Sequence, residues 1–181
     1  DEATSAADVP DPTVTGLALD SRCIQPGWLF LACQGSHGHG LQFVAETRAR
    51  GVRAIVAEPD AQWAAPAFAT LGDSRGLPVV ALADLRHQAS RLAGRFVGDP
   101  SAQLAVLGVT GTNGKTSVTH YLAQALAGEV ACALIGTLGI GLPGDLQPAT
   151  HTTPDPVTLQ ETLAALRERG ARRRAGAGGR A

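Results

Sequence analysis

The sequence has almost no lysine, has no methionine, and contains only 4% aromatic residues among its 181 positions. Its three cysteines, Cys23, Cys33 and Cys132, form no C-x-x-C pair, which argues against a disulfide framework or a zinc site and favours buried thiols. No apolar run approaches the roughly 20 residues that cross a bilayer, and the polar N-terminal segment does not resemble a signal peptide. These absences predict a cytoplasmic protein without membrane insertion.

The charge balance also argues against nucleic acid and anionic membranes as partners. A formal net charge of -1 gives no electrostatic preference for nucleic acid or an anionic membrane, so we expect a small-molecule substrate and no nucleic acid. Of the 15 lysines and arginines, only Lys115 is a lysine. A single lysine kept at one position indicates a task that arginine does not perform, because the two cations differ in shape and hydration.

The first half of the chain alternates between strand-like and helix-like segments. Short apolar runs bounded by turn residues predict strands at residues 14–22, 27–33, 53–58 and 77–84. Helical patterns fill residues 41–51, with Gly51 as C-cap, and 85–98, whereas the Ala-, Pro- and Gly-rich residues 60–76 are predicted to be a loop. This alternation predicts an α/β fold. Trp28, Phe30 and Phe43 are expected in its core.

The second half repeats the pattern after a break at residues 98–101. A buried strand is predicted at residues 104–111, a helix at 115–128, a second buried strand at 130–136 and a helix at 152–170, with Asp155 as N-cap and Pro156 at its first position. This is the truncated start of a P-loop, mainly parallel-sheet domain.

We therefore expect four regions: a polar leader at 1–13, a small α/β substrate-binding domain at 14–99, the first part of an ATP-binding domain at 100–170, and a tail at 171–181. The tail has no apolar periodicity, so it is interpreted as disordered or out of frame. With no methionine at position 1, the chain is interpreted as a fragment.

The stretch GVTGTNGKTS carries the clearest chemistry. Glycines in a strand-to-helix turn let backbone N–H groups approach a polyphosphate, and the following helix presents its positive N-terminus to the same anion. Lys115 would reach the terminal phosphates, and Thr116 or Ser117 would offer a hydroxyl to Mg²⁺. The alternative, a tight turn that binds nothing, does not require a lysine followed by two hydroxyls.

Three motifs carry a family resemblance. TGTNGKT resembles the ATP-binding loop of the Mur ligases and the folylpolyglutamate synthetases. LALDSR followed by PGWLFLACQGSHGHGLQF is similar to the uridine-diphosphate-binding domain of two Mur ligases, which folylpolyglutamate synthetases lack. IGTLGIGLPGDLQPATHTTPDP resembles the Mur ligases that add the third amino acid of the peptidoglycan precursor. The chain is thus identified as a member of the Mur ligase family.

The resemblance implies site residues. Lys115 would be catalytic through its charge, Thr116 would bind the metal, and ATP would be held by Gly111, Thr112, Asn113, Gly114, Lys115, Thr116 and Ser117. The substrate would be contacted by Leu19, Ser21, Ser36, His37, Gly38, His151, Thr152 and Thr153. The neighbouring His39 is placed in the same flexible substrate loop as His37, since a metal site there would need further ligands.

The resemblance also implies an activity. With ATP and Mg²⁺, a monomeric ligase would join a diamino acid, either diaminopimelate or lysine, to UDP-N-acetylmuramoyl-L-alanyl-D-glutamate through an acyl phosphate. The family's carbamylated lysine has no counterpart here, because Lys115 is the only lysine, so the chain is predicted to be inactive alone. Two alternatives stay open: the ligase that adds the terminal dipeptide, and a nonenzymatic UDP-sugar or nucleotide-binding module.

Overall fold

The computed structural model describes residues 12–35, 38–64, 68–71, 76–148 and 154–171. The chain divides into two compact units, Asp1–Ala89 and Ser90–Ala181. Among the described residues, no helix combines the length and the apolar character needed to cross a membrane. The predicted α/β class is confirmed, since helices alternate with the strands of a parallel sheet in the first unit.

The first unit is built on a four-stranded parallel sheet. Its strands follow one another across the sheet in chain order, and they are β1 (Leu17–Ala18), β2 (Leu29–Ala32), β3 (Ala54–Ala57) and β4 (Val79–Ala81). Phe30, Leu31 and Ile55 on the two central strands are each at most 1% exposed. The central strands β2 and β3 are continuous apolar runs because both faces of the sheet are covered there, whereas Val80 and Ala81 on the edge strand β4 are exposed.

Short helices connect and follow these strands. Two 3-10 turns, Ser21–Cys23 and Gly40–Phe43, are accompanied by α1 (Val44–Ala49), α2 (Phe68–Leu71) and α3 (Leu85–Phe96). Helix α3 runs across the division between the two units after Ala89. Gly51, with φ of +81°, lies just beyond the end of α1, as expected for a glycine that terminates a helix.

Three predictions for this unit were wrong in detail. The strand expected over residues 14–22 is short, because the Asp20 side chain accepts a hydrogen bond from the Arg22 N–H and caps a 3-10 turn. The loop expected at 60–76 contains α2, whose Phe68 is buried in the core. Phe43, expected in the core, is 47% exposed, because the neighbouring Val44 is the residue that packs inward.

The second unit contains helices and a separate small sheet. Its elements are α4 (Pro100–Gln103), α5 (Lys115–Leu126), β5 (Leu134–Gly136), β6 (Gly139–Leu142), β7 (Asp145–Gln147) and α6 (Pro156–Glu168). The helices predicted near 115 and 156 are confirmed. Asp155 is the N-cap of α6 as predicted, and its Oδ1 accepts from the N–H groups of Val157 at 2.9 Å and Thr158 at 3.1 Å.

The strands of this unit differ from the prediction. Residues 104–111 form no strand, and Val106 and Leu107 are 60% and 67% exposed. A buried parallel strand needs hydrogen-bonded neighbours, and the described residues provide none for this segment. β5 covers only the end of the strand predicted at 130–136, and it pairs antiparallel with β6. The mainly parallel sheet expected for the second unit is therefore not formed by the described residues.

Candidate functional site

The glycine turn before α5 has the backbone geometry that the sequence predicted. Gly111 and Gly114 have φ values of +147° and +77°, which side-chain-bearing residues rarely adopt. Gly114 is the N-cap of α5, its carbonyl accepts from the Val118 N–H at 2.9 Å, and no side chain caps this helix end. The first N–H groups of an α-helix have no intrahelical acceptor, so this end offers donors and a partial positive charge.

Lys115 is the first residue of α5, and its side chain folds back over the turn. Its Nζ donates to the carbonyl oxygen of Gly111 at 2.5 Å and lies 3.4 Å from that of Thr112. The residue is exposed. The ammonium group is therefore held at the mouth of the loop, where an incoming anion can exchange with the two carbonyl oxygens.

An open cavity of about 190 Å³ lies beside this lysine. Its wall combines the start of α5 with the β5–β6 hairpin and consists of Val109, Lys115, Thr116, Thr119, His120, Leu134, Ile135, Gly136, Thr137, Leu138 and Gly139. The hydroxyl oxygens of Thr116 and Thr137 are 3.1 Å apart. Hydroxyl groups from two separate elements thus meet next to the only lysine of the chain.

Only part of the predicted nucleotide loop forms this wall. Lys115 and Thr116 line the cavity, whereas Asn113 and Ser117 are exposed and lie outside the wall. Sequence reasoning missed Thr137, although the IGTLG segment that contains it carried part of the family resemblance. Among the described residues, no group of three or more His, Cys, Asp or Glu side chains could hold a metal ion.

The DSR run of the first unit folds onto itself and onto α1. Ser21, predicted to contact substrate, is 7% exposed, and its hydroxyl donates to Glu46 Oε2 at 3.3 Å. Leu19, two residues before Ser21, is half-buried. Asp20 forms an exposed ion pair with Arg22 at 2.6 Å, and the hydrogen bond from that guanidinium lowers the pKa of the Asp20 carboxyl.

Gly38 belongs to a hairpin between β2 and the 3-10 turn at Gly40–Phe43. Its carbonyl oxygen accepts from the Gly35 N–H at 2.9 Å. Gln34 and His39 form an isolated antiparallel β-bridge. The other predicted substrate contacts, Ser36, His37, His151, Thr152 and Thr153, lie outside the described residues.

His39 is not part of a flexible substrate loop, as the sequence had indicated, but is 1% exposed. Its Nδ1 accepts from the Leu41 N–H at 3.0 Å, so its Nε2 carries the hydrogen that is donated to the Glu58 carbonyl oxygen at 2.7 Å. The ring also faces Trp63, with 6.2 Å between ring centroids. His39 thus caps the 3-10 turn and ties the hairpin to the end of β3, a role that residue type did not reveal.

All three cysteines are free thiols, and the expectation that each is buried was wrong for Cys23, which is exposed. Cys33 and Cys132 are partly buried. Burial, with a smaller effect of the Glu58 carboxylate, raises the pKa of the Cys33 thiol to about 11. This thiol is therefore protonated at neutral pH and weakly nucleophilic.

Comparison with known families accounts for both units. Residues 13–97 match the family described as "Mur ligase family, catalytic domain", and residues 109–174 match "Mur ligase middle domain". The chain belongs to the Mur ligase family. The resemblance inferred from the three motifs is confirmed. Mur ligases are ATP-dependent enzymes that form amide bonds, which agrees with the uncapped helix end and lysine described above.

The chain is also similar in sequence to individual Mur ligases that share one name. This chain is 49% identical over 166 residues to the UDP-N-acetylmuramoyl-L-alanyl-D-glutamate–2,6-diaminopimelate ligase of Alkalilimnicola ehrlichii, covering 91% of this chain and 33% of that protein. The protein of the same name from Pseudomonas putida is 47% identical, covering 90% and 32%. The chain therefore spans about a third of the length of the curated relatives that it matches.

Solved Mur ligase structures agree with the fold. A structure of a UDP-N-acetylmuramoyl-L-alanyl-D-glutamate–2,6-diaminopimelate ligase aligns with a TM-score of 0.68 and 27% identity, over 88% of this chain and 30% of that one. The D-alanyl-D-alanyl-adding ligase of Acinetobacter baumannii aligns at 0.53 with 22% identity, over 88% and 30%. The second likeness shows the shared fold only.

Proposed function

We propose that this chain supplies the UDP-substrate-binding and ATP-loop parts of a cytoplasmic, monomeric ligase that joins meso-diaminopimelate to UDP-N-acetylmuramoyl-L-alanyl-D-glutamate. The observation that carries the proposal is the placement of Lys115 at the uncapped N-terminus of α5, beside a cavity with paired hydroxyls. The names of relatives at 47% and 49% identity support the choice of substrates.

The chemistry explains the need for a nucleotide. A carboxylate resists attack by an amine, because its negative charge repels nucleophiles and its oxygen leaves poorly. ATP supplies the phosphoryl group that turns a carboxylate oxygen into a leaving group. Lys115, exposed at the loop mouth, would neutralise the negative charge that develops on oxygen, and the Thr116 hydroxyl would ligate Mg²⁺ together with phosphate oxygens. Lys115 acts here as a charge and not as a nucleophile.

The two family matches support separate binding regions for the UDP substrate and for ATP. We assign UDP binding to residues 14–99, where Leu19, Ser21 and Gly38 are the proposed contacts that lie among the described residues, and ATP binding to residues 100–170. Because the described residues hold no acidic cluster that could complete a metal site, we expect this chain to bind nucleotide without turnover.

The single lysine makes the ATP assignment directly testable. An amine-reactive reagent can modify only the Lys115 side chain and the N-terminal amine of this chain. We expect MgATP to protect Lys115 from modification, measured by peptide mass spectrometry, and the N-terminal amine to serve as an internal control. Equal labelling of Lys115 with and without saturating MgATP would rule out its proposed role.

A second experiment separates the competing functions. Isothermal titration should show binding of MgATP to the wild-type chain and its loss in Lys115→Ala, with circular dichroism showing an intact fold. Binding of a UDP-sugar without ATP would instead favour a nonenzymatic module. Tighter binding of the UDP-muramoyl tripeptide than of the dipeptide would favour the terminal-dipeptide-adding ligase.

A further inference from the structure

We propose that Thr137 is a positioning residue of the nucleotide loop, which orients the Thr116 hydroxyl and offers its own hydroxyl hydrogen to an anion in the cavity. This inference rests on the proposed function. It starts from the 3.1 Å distance between the two hydroxyl oxygens, which belong to residues 21 positions apart in the chain. Thr116 lies in the first turn of α5, and Thr137 follows β5.

The position of Thr137 is fixed by the small sheet. Thr137 and Leu138 form the turn between β5 and β6, where Gly136 pairs with Gly139. Gly139 has φ of +137°, and a Cβ there would lie 2.6 Å from the carbonyl oxygen of Gln147 on β7. β6 also pairs with β7 on its other side, so sheet hydrogen bonds hold the turn and Thr137 presents its hydroxyl to α5 from a defined place.

The direction of the hydrogen bond decides what Thr137 can do. Either hydroxyl can be the donor when neither is engaged elsewhere. A hydroxyl whose lone pair faces a cation must donate its hydrogen to another acceptor, so Thr116 in that state donates to Thr137 Oγ1. The hydrogen of Thr137 is then free for a further acceptor. Since Lys115 is in the same wall, an oxyanion in the cavity would meet an ammonium and a hydroxyl donor together.

The test measures nucleotide affinity of the 181-residue chain by isothermal titration, with Mg²⁺ and with EDTA. Thr137→Val keeps the side-chain shape and removes the hydroxyl, and it should weaken MgATP binding by about tenfold. Thr137→Ser should stay within about twofold of wild type, because it retains the hydroxyl. With EDTA, the loss in Thr137→Val should be smaller.

A double-mutant cycle with Thr116→Val tests the coupling. Because Thr137 is proposed to act partly through Thr116, the two losses should be less than additive in the double variant. Thr15→Val, an exposed change in the other unit, controls for the substitution itself. Additive losses, or equal weakening in Thr137→Ser and Thr137→Val, would contradict the role proposed for Thr137 and would leave the proposed function in place. Absence of MgATP binding in the wild-type chain would contradict both this inference and the proposed function.

Discussion

Replacing His39 by alanine should destabilise the first unit strongly. The change removes the acceptor of the buried Leu41 N–H and the donor to the Glu58 carbonyl, and it leaves a cavity beside Trp63. Loss of a cap costs about 1 kcal/mol, an unpaired buried polar group costs about 1 kcal/mol or more, and the cavity adds roughly 1 kcal/mol. We therefore expect the free energy of unfolding to fall by about 3 kcal/mol.

The two tryptophans of the chain make this measurement specific, because Trp28 and Trp63 both belong to the first unit. Urea unfolding followed by tryptophan fluorescence should give a midpoint lowered by roughly 1–3 M at m-values of about 1–3 kcal/mol/M. His87→Ala is the matched control: this side chain is 79% exposed, so its loss should change stability by less than about 0.5 kcal/mol.

His39→Asn separates the contributions of the two His39 hydrogen bonds. The amide oxygen can still accept from the Leu41 N–H, but the shorter side chain does not reach the Glu58 carbonyl oxygen, so we expect a loss between those of the control and His39→Ala. A midpoint for His39→Ala that matches the His87→Ala control would refute the assignment of His39 as the tie between the hairpin and β3.

Three further predictions concern other parts of the chain. Asp155→Ala should lower the midpoint of thermal unfolding followed by circular dichroism, because α6 loses an N-cap that contributes about 1 kcal/mol, whereas Asp155→Ser should recover most of that stability. At pH 8, iodoacetamide should alkylate the exposed Cys23 faster than Cys33; because the pKa of Cys33 is raised to about 11, its alkylation rate should keep rising with pH until about 11. Gly141→Ala should disrupt the β6–β7 pairing and lower the thermal midpoint, because its Cβ would lie 2.2 Å from a backbone carbonyl, whereas Gly128→Ala meets no neighbouring atom and should be neutral.

Each of these has a clear contrary result. Loss of the α6 cap without any change in melting would mean that tertiary packing alone holds the helix start. Equal alkylation rates for the two cysteines at pH 8 would contradict the burial of the Cys33 thiol. A Gly141 variant as stable as the Gly128 variant would show that the hairpin can rearrange around a side chain.

Local chemistry allowed much of the fold to be predicted from sequence. The short apolar runs that became β2, β3 and β4, and the cap residues Asp155 and Gly51, act through neighbouring backbone, so their effects are visible in sequence. The family could also be predicted, because three separate motifs of the sequence resemble those of Mur ligases.

The features that could not be predicted from sequence depend on residues that are far apart in the chain. Residues 104–111 have the composition of a buried strand, yet a strand exists only where neighbours supply hydrogen bonds, and the described residues supply none. His39 looked like a loop residue until the Glu58 carbonyl and the Leu41 N–H were found at its two ring nitrogens. In the same way, sequence alone predicted Lys115 and Thr116 for a nucleotide loop, but only the tertiary structure brought Thr137 to Thr116, because the β5–β6 turn sets that distance.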